Sequence, residues 1–172
     1  DEGIAITSPP VPGLDTGICF VMIEPSAERT FVTTQGAERH VSVESLSSSA
    51  PVDGDLVCVS GYSLIEPTVG PLLTWLEALP SGVVIVLDPG AIFARLPELV
   101  RERMLAVTDV WTSNAEEAQE LTGEANYVRA APLCAAQLPR GAVAIVRDGP
   151  RGCAVNVDGQ TTDVPGFPQH AI

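Results

Sequence analysis

The sequence has 172 residues and a mass of 18.0 kDa, with 45% apolar and 18% charged residues. A chain of this size buries roughly 70% of its unfolded surface, so a single core needs no metal or disulfide staple, and the composition is not that of a disordered chain. Twenty-two acidic residues face nine basic ones, all arginine, for a net charge of −13, a field that repels nucleic acid and anionic membrane surfaces. No apolar run approaches the ~18 residues of a membrane span.

In chain order, Thr16 to Ile23 is rich in β-formers, Glu24-Pro25-Ser26 interrupts, and Arg29 to Thr34 resumes, which predicts a hairpin. Position parity places Cys19 with Val21 on a face of the first strand, and Phe31 with Thr33 and Arg29 on a face of the second. Ser45 to Asp55 holds few large apolar residues and reads as a linker or loop. From Leu56 the chain alternates. Short apolar strands are predicted at Leu56–Ser60, Val83–Leu87, Asp109–Thr112 and Ala142–Val146. Helical stripes lie between them: Val69 to Leu79, Leu96 to Val107, Ala115 to Leu121 with Gly123 as the stop, and Tyr127 to Leu138. Cys153 to Val157 follows, and Asp158-Gly159 signals a hairpin turn. The expected fold is α/β, a mostly parallel sheet with helices on both faces and a small hairpin set before it.

Sheets of this kind bind ligands outside the carboxyl ends of their strands, which directs attention to Gly61, Asp88, Asn114 and the Arg147-Asp148-Gly149 segment. Asn114 and Glu117 fit a capping box, an N-terminal stop of about 1 kcal/mol. The same helix start attracts phosphate and bound metal. Arg147 to Gly152 is either a turn or an anion-binding loop in which glycines admit close backbone approach. Asp88 before Pro-Gly suits a hydroxyl contact and a turn equally. His40 and His170 are isolated, there is no Gly-x-Ser-x-Gly elbow, and no lysine exists for a Walker A loop. The four cysteines lack metal-ligand spacing and read as free buried thiols of a reducing cytoplasm.

Taken together and in order, these segments resemble the ribokinase-like (PfkB) carbohydrate kinase family. The resemblance rests on Thr16-Gly17, Glu28-Arg29-Thr30 with Gly36-Ala37, and Leu87-Asp88-Pro89. It continues through Thr112-Ser113-Asn114-Ala115-Glu116-Glu117-Ala118, Leu121-Thr122-Gly123, Asp148-Gly149-Pro150-Arg151-Gly152 and Val164-Pro165-Gly166-Phe167. It implies ATP-dependent, Mg²⁺-assisted phosphorylation of a sugar or sugar-like hydroxyl in the cytoplasm. It divides the chain into a β lid with its connections (1–42) and a partial ribokinase-like core (43–172). Asn114 and Glu117 match the metal- and phosphate-positioning motif, and Arg147, Asp148, Gly149 and Gly152 match the nucleotide loop. Cys19, Phe31 and Thr33 on the lid, with Gly61 and Asp88, fall on the substrate side, and a homodimer through the lid is a further expectation.

Two departures accompany these matches. Gly61 stands where some ribokinases carry an acidic residue, and Arg147 replaces the more usual threonine. In the family, the segment Asp-Thr-x-Gly-Ala-Gly-Asp follows Pro165-Gly166-Phe167 and carries the anion hole and the aspartate base, whereas this sequence ends at Ile172. The expectation is therefore that no catalytic base lies in the chain and that these residues alone do not turn over. The alternative is a non-catalytic kinase-like module that binds a nucleotide or a sugar.

Overall fold

The computed structural model describes residues 3, 5, 7–26 and 28–167, so His170 lies outside the described residues. Two sheets form. The first is the antiparallel pair β1 (Cys19–Ile23) and β2 (Arg29–Thr33), in the register Cys19↔Thr33, Val21↔Phe31. The second has six strands in the order β3 (Leu56–Ser60), β4 (Val84–Asp88), β5 (Val110–Asn114), β6 (Val143–Arg147), β7 (Cys153–Val157), β8 (Gln160–Val164). β3 to β6 are parallel, and β7 and β8 return antiparallel. The β7–β8 turn is set by Asp158 and Gly159 at φ +48° and +76°, the left-handed pair that a two-residue hairpin requires.

The connections are α2 (Val69–Glu77), α3 (Glu98–Ala106), then α4 (Ala115–Thr122) and α5 (Tyr127–Ala135). The helical stripes predicted from spacing run past these bounds because several stripe residues sit in flanking turns. Leu96, for example, is buried ahead of α3, where Pro97 opens the helix. The segment read as a linker or loop is irregular after its first residues, which belong to a short helix, α1 (Val43–Ser47). Ser42 and Ser45 cap each other reciprocally, and Leu46 packs on the core, so local hydroxyl capping overrides an unpromising composition.

Strand order also decides where the core sits. Parallel strands joined through helices bury their helix-facing side chains. The burial pattern agrees: Val59, Ile85, Leu87, Trp111, Ala144, Val146 and Ala154 are buried. The alternate positions, such as Val84, Val86, Val110, Val143 and Ile145, are only half-buried. The buried positions join residues of α2 to α5 in one core, and the fold is the expected α/β one, a mostly parallel six-stranded sheet with helices plus a small antiparallel hairpin sheet. The thiols differ from expectation. Cys134 is buried, Cys153 half-buried, and Cys19 and Cys58 are exposed because one lies on the hairpin and the other on an edge strand.

Candidate active site at the strand ends

Asp88, Asn114 and Arg147 are the last residues of β4, β5 and β6, so the parallel register carries them to one edge of the sheet. Asn114 and Arg147 are direct register partners. Arg147 reaches back over β5, and its Nη2 donates to Asp88 Oδ2 at 3.1 Å. Asp88 Oδ1 accepts from the Gly90 amide at 3.3 Å, which makes Asp88 a turn former and an ion-pair partner at once.

Asn114 has two roles in the backbone, ending β5 and capping α4. Its Oδ1 accepts from the Glu117 amide at 2.8 Å, and Glu117 Oε2 accepts from the Asn114 amide at 2.9 Å. This is the reciprocal capping box anticipated from the sequence. It occupies one polar atom of each side chain. Among the described residues, Asn114 Nδ2 and Glu117 Oε1 have no protein partner and remain available at a helix start where anions are favoured. Asn114, Ala115, Glu116, Arg147, Asp148 and Gly149 together line a cavity of about 270 Å³.

The loop after β6 is stiffened from within. Asp148 binds Arg151 at 2.6 Å, and the Asp148 amide donates to Gly152 O at 2.7 Å. Gly149, at φ +53°, has open space where a Cβ would stand, so it can admit a ligand. Gly152 differs: a Cβ there would lie 2.0 Å from the Val164 carbonyl, so its glycine is required by packing against the end of β8. Gly61 is constrained in the same way, since its Cβ would fall 1.8 Å from the Pro89 carbonyl. That close approach brings the ends of β3 and β4 together and sets Tyr62 against Gly90.

Cys19, Phe31 and Thr33 share a face of the hairpin, as parity and the register require, and Thr33 Oγ1 lies 3.4 Å from Cys19 Sγ. All ten residues of the two strands are exposed, and no hydrogen bond among the described residues joins this trio to the strand ends. What ties the hairpin to the core was not singled out in the sequence. Glu38 accepts from the Gly17 and Gly36 amides at 2.6 and 2.9 Å, and those two bonds hold its carboxyl below the usual carboxylate range. The next residue, Arg39, donates to the Tyr62, Ile65 and Glu66 carbonyls at 3.0, 3.0 and 3.1 Å, leaving its buried Nε without an acceptor. Apart from the Gly36–Glu38 bond, these join residues 21 to 27 apart, so spacing carries no signal of them.

Asn114 Nδ2 and Glu117 Oε1, both without a protein partner beside a helix start, suit phosphate oxygens and a metal carried on them. No cluster of three His, Cys, Asp or Glu side chains stands ready to hold a metal among the described residues. Mg²⁺ commonly keeps several waters and takes its remaining ligands from phosphate, which needs only one or two carboxylates nearby. A larger cavity, about 700 Å³, lies at the opposite end of the sheet beside Ala142 and the Asp158-Gly159 turn. Size alone therefore does not mark the site; the carboxyl-end placement does.

Known proteins resemble this chain in sequence and in fold. A model of the pfkB family carbohydrate kinases matches residues 1–172. An uncharacterized sugar kinase, YegV, of Escherichia coli is 31% identical over 105 residues, covering 61% of this chain and 32% of its own. Ribokinase of Haemophilus influenzae is 27% identical over 163 residues, covering 91% and 50%. Adenosine kinase from Sinorhizobium meliloti superposes with a TM-score of 0.76 at 17% identity, covering 91% of this chain and 48% of that one. The chain thus spans at most half the length of these relatives.

Proposed function

The chain belongs to the pfkB family of carbohydrate kinases, and from that premise we propose that the protein transfers the γ-phosphoryl group of ATP to a hydroxyl of a sugar or sugar-like substrate. The observation that carries this reading is the convergence of Asp88, Asn114 and Arg147 at three adjoining strand ends beside the start of α4. Bound Mg·ATP supplies the phosphoryl group and the charge neutralisation that phosphoryl transfer depends on.

The chain's own residues bind and orient. Asn114 Nδ2 and Glu117 Oε1 direct the phosphates and the metal's waters, with Arg147, Asp148, Gly149 and Gly152 forming the loop that borders the nucleotide. Gly61 and Asp88 border the sugar. Residues 1–42 act as a lid whose Cys19, Phe31 and Thr33 face closes over it, excluding water as a competing phosphoryl acceptor. The strand-end cluster positions and neutralises; the proton acceptor is assigned to the segment that in the family follows Pro165-Gly166-Phe167. A cytoplasmic setting and pairing of two copies through the lid complete the proposal. Among the described residues no helix is long and apolar enough to cross a membrane.

One observation favours a second reading, the non-catalytic binding module: the reciprocal capping box accounts for Asn114 and Glu117 without any ligand. Asn114→Ala in the full-length protein separates the two. Loss of the cap costs about 1 kcal/mol of stability under either reading. Under the kinase reading Mg·ATP affinity and ADP release over a sugar panel fall as well. Unaltered Mg·ATP binding in the folded variant would refute the assignment of Asn114, and ATP binding without turnover on any sugar by the unaltered protein would favour the binding module.

A further inference from the structure

Arg147 ends a strand at the ligand-binding edge, yet its guanidinium does not simply point to solvent. Nε donates to the Ser113 carbonyl at 3.3 Å, while Nη2 donates to the Thr112 carbonyl at 3.4 Å and to Asp88 Oδ2 at 3.1 Å. The planar group therefore lies across the end of β5 and touches β4, β5 and β6 together. Carbonyl oxygens fix its orientation without cancelling its charge. Asp88 cancels part of it, but both side chains are about half exposed (49% and 51%), so solvent screens the pair.

The remaining edge is the informative one. Among the described residues Nη1 has no protein acceptor, and Arg147 lines the same cavity as Asn114, Ala115 and Gly149. The neighbouring Arg151 is engaged by Asp148 of its own loop at 2.6 Å and lies 5.9 Å from the ring of Tyr127 on α5. In a chain of net charge −13, an oriented cation with free N–H groups at a helix start is a specific place for phosphate oxygens.

We propose that Arg147 clamps the terminal phosphoryl group of the bound nucleotide, and that Asp88 is a positioning residue for it, holding the guanidinium across the strand ends. This deepens the kinase reading and rests on it. It also makes Asp88 a link between the sugar and nucleotide halves of the site: a group beside the sugar sets the angle of the cation that grips the phosphate.

The test is calorimetric titration of the full-length protein with ATP, ADP and AMP in Mg²⁺. Arg147→Met is expected to weaken ATP by about ten-fold, the scale of one charged hydrogen bond, and to leave AMP unchanged. Arg147→Lys keeps the charge without the planar fork and should fall between Met and the unaltered protein. Asp88→Asn should weaken ATP by about three-fold, as expected of a screened pair, and should add nothing in the Arg147→Met background. Retained AMP binding serves as the internal check that each variant is folded. Equal losses for ATP and AMP, an unchanged ATP affinity in Arg147→Met, or an Asp88→Asn effect that adds fully to it would each overturn the proposal. Failure of the unaltered protein to bind ATP would instead overturn the nucleotide reading itself, and the clamp with it.

Discussion

The two sheets of this protein are built from similar β-formers and held by different forces. In β4 to β7 of the six-stranded sheet alternate side chains are buried in the core; Trp111, at 1% exposure, packs edge-to-face on Phe93 with ring centroids 5.4 Å apart. In the hairpin the apolar residues find no such cover: Phe20, Ile23 and Phe31 are 64%, 71% and 58% exposed. Its position depends on polar groups at its base, Glu38 on the Gly17 and Gly36 amides and Arg39 on three carbonyls beyond Gly61. A scaffold anchored by packing is rigid. A hairpin anchored at one end by hydrogen bonds suits the closing lid proposed for it.

The contrast is broken most severely from the packed side. Trp111→Ala leaves a cavity beside Phe93 and strands the Ser113 hydroxyl that the indole N–H now binds at 2.8 Å. The expected cost is about 3–5 kcal/mol by denaturant unfolding, against less than about 0.5 kcal/mol for Phe31→Ser on the hairpin. Comparable losses for the two would show that the hairpin is packed after all. Arg39→Ala comes next. It removes three donors from partly enclosed carbonyls and is expected to cost about 1–2 kcal/mol, with proteolysis accelerating in the hairpin before the core. Uniform acceleration would argue that the hairpin has no separate anchor.

The smallest effect is a pH dependence at Glu38. Two backbone donors hold its carboxyl below the ordinary value of 4.5, so its bonds to the hairpin base are fully present above that pH. They are lost as pH falls through the lowered folded-state value, where protonation removes the charge that the amides favour. Hydrogen exchange at the Gly17 and Gly36 amides should lose protection over that acidic window in the native sequence. In Glu38→Gln the protection should be weaker at neutral pH and should not change across the window. A native protein whose protection is flat across the same range would remove Glu38 from the anchor.

Much of the fold was legible because it is written in short-range pattern. Uninterrupted runs such as Val84 to Leu87 mark buried parallel strands, Asp158-Gly159 marks its hairpin, and Asn114 with Glu117 marks a helix start, since each depends on neighbours within four residues. The placing of Asp88, Asn114 and Gly149 near one another was likewise accessible, through the rule that such strands present their carboxyl ends together. The short helix at Val43 was missed because two serines capping each other leave almost no trace in composition.

What the sequence determined by itself is therefore the family, the alternation of strands and helices, and the chemical types gathered at the strand ends. Tertiary structure alone decided three further matters. It tied the base of the hairpin to the core through Glu38 and Arg39, because the Gly17 amide and the carbonyls beyond Gly61 that they bind lie 21 to 27 residues away. It fixed Gly61 and Gly152 as packing necessities, because the carbonyls they avoid belong to Pro89 and Val164. It laid the Arg147 guanidinium across β5 onto Asp88, a contact 59 residues apart in sequence that no periodicity encodes, since it exists only once three parallel strands stand in register.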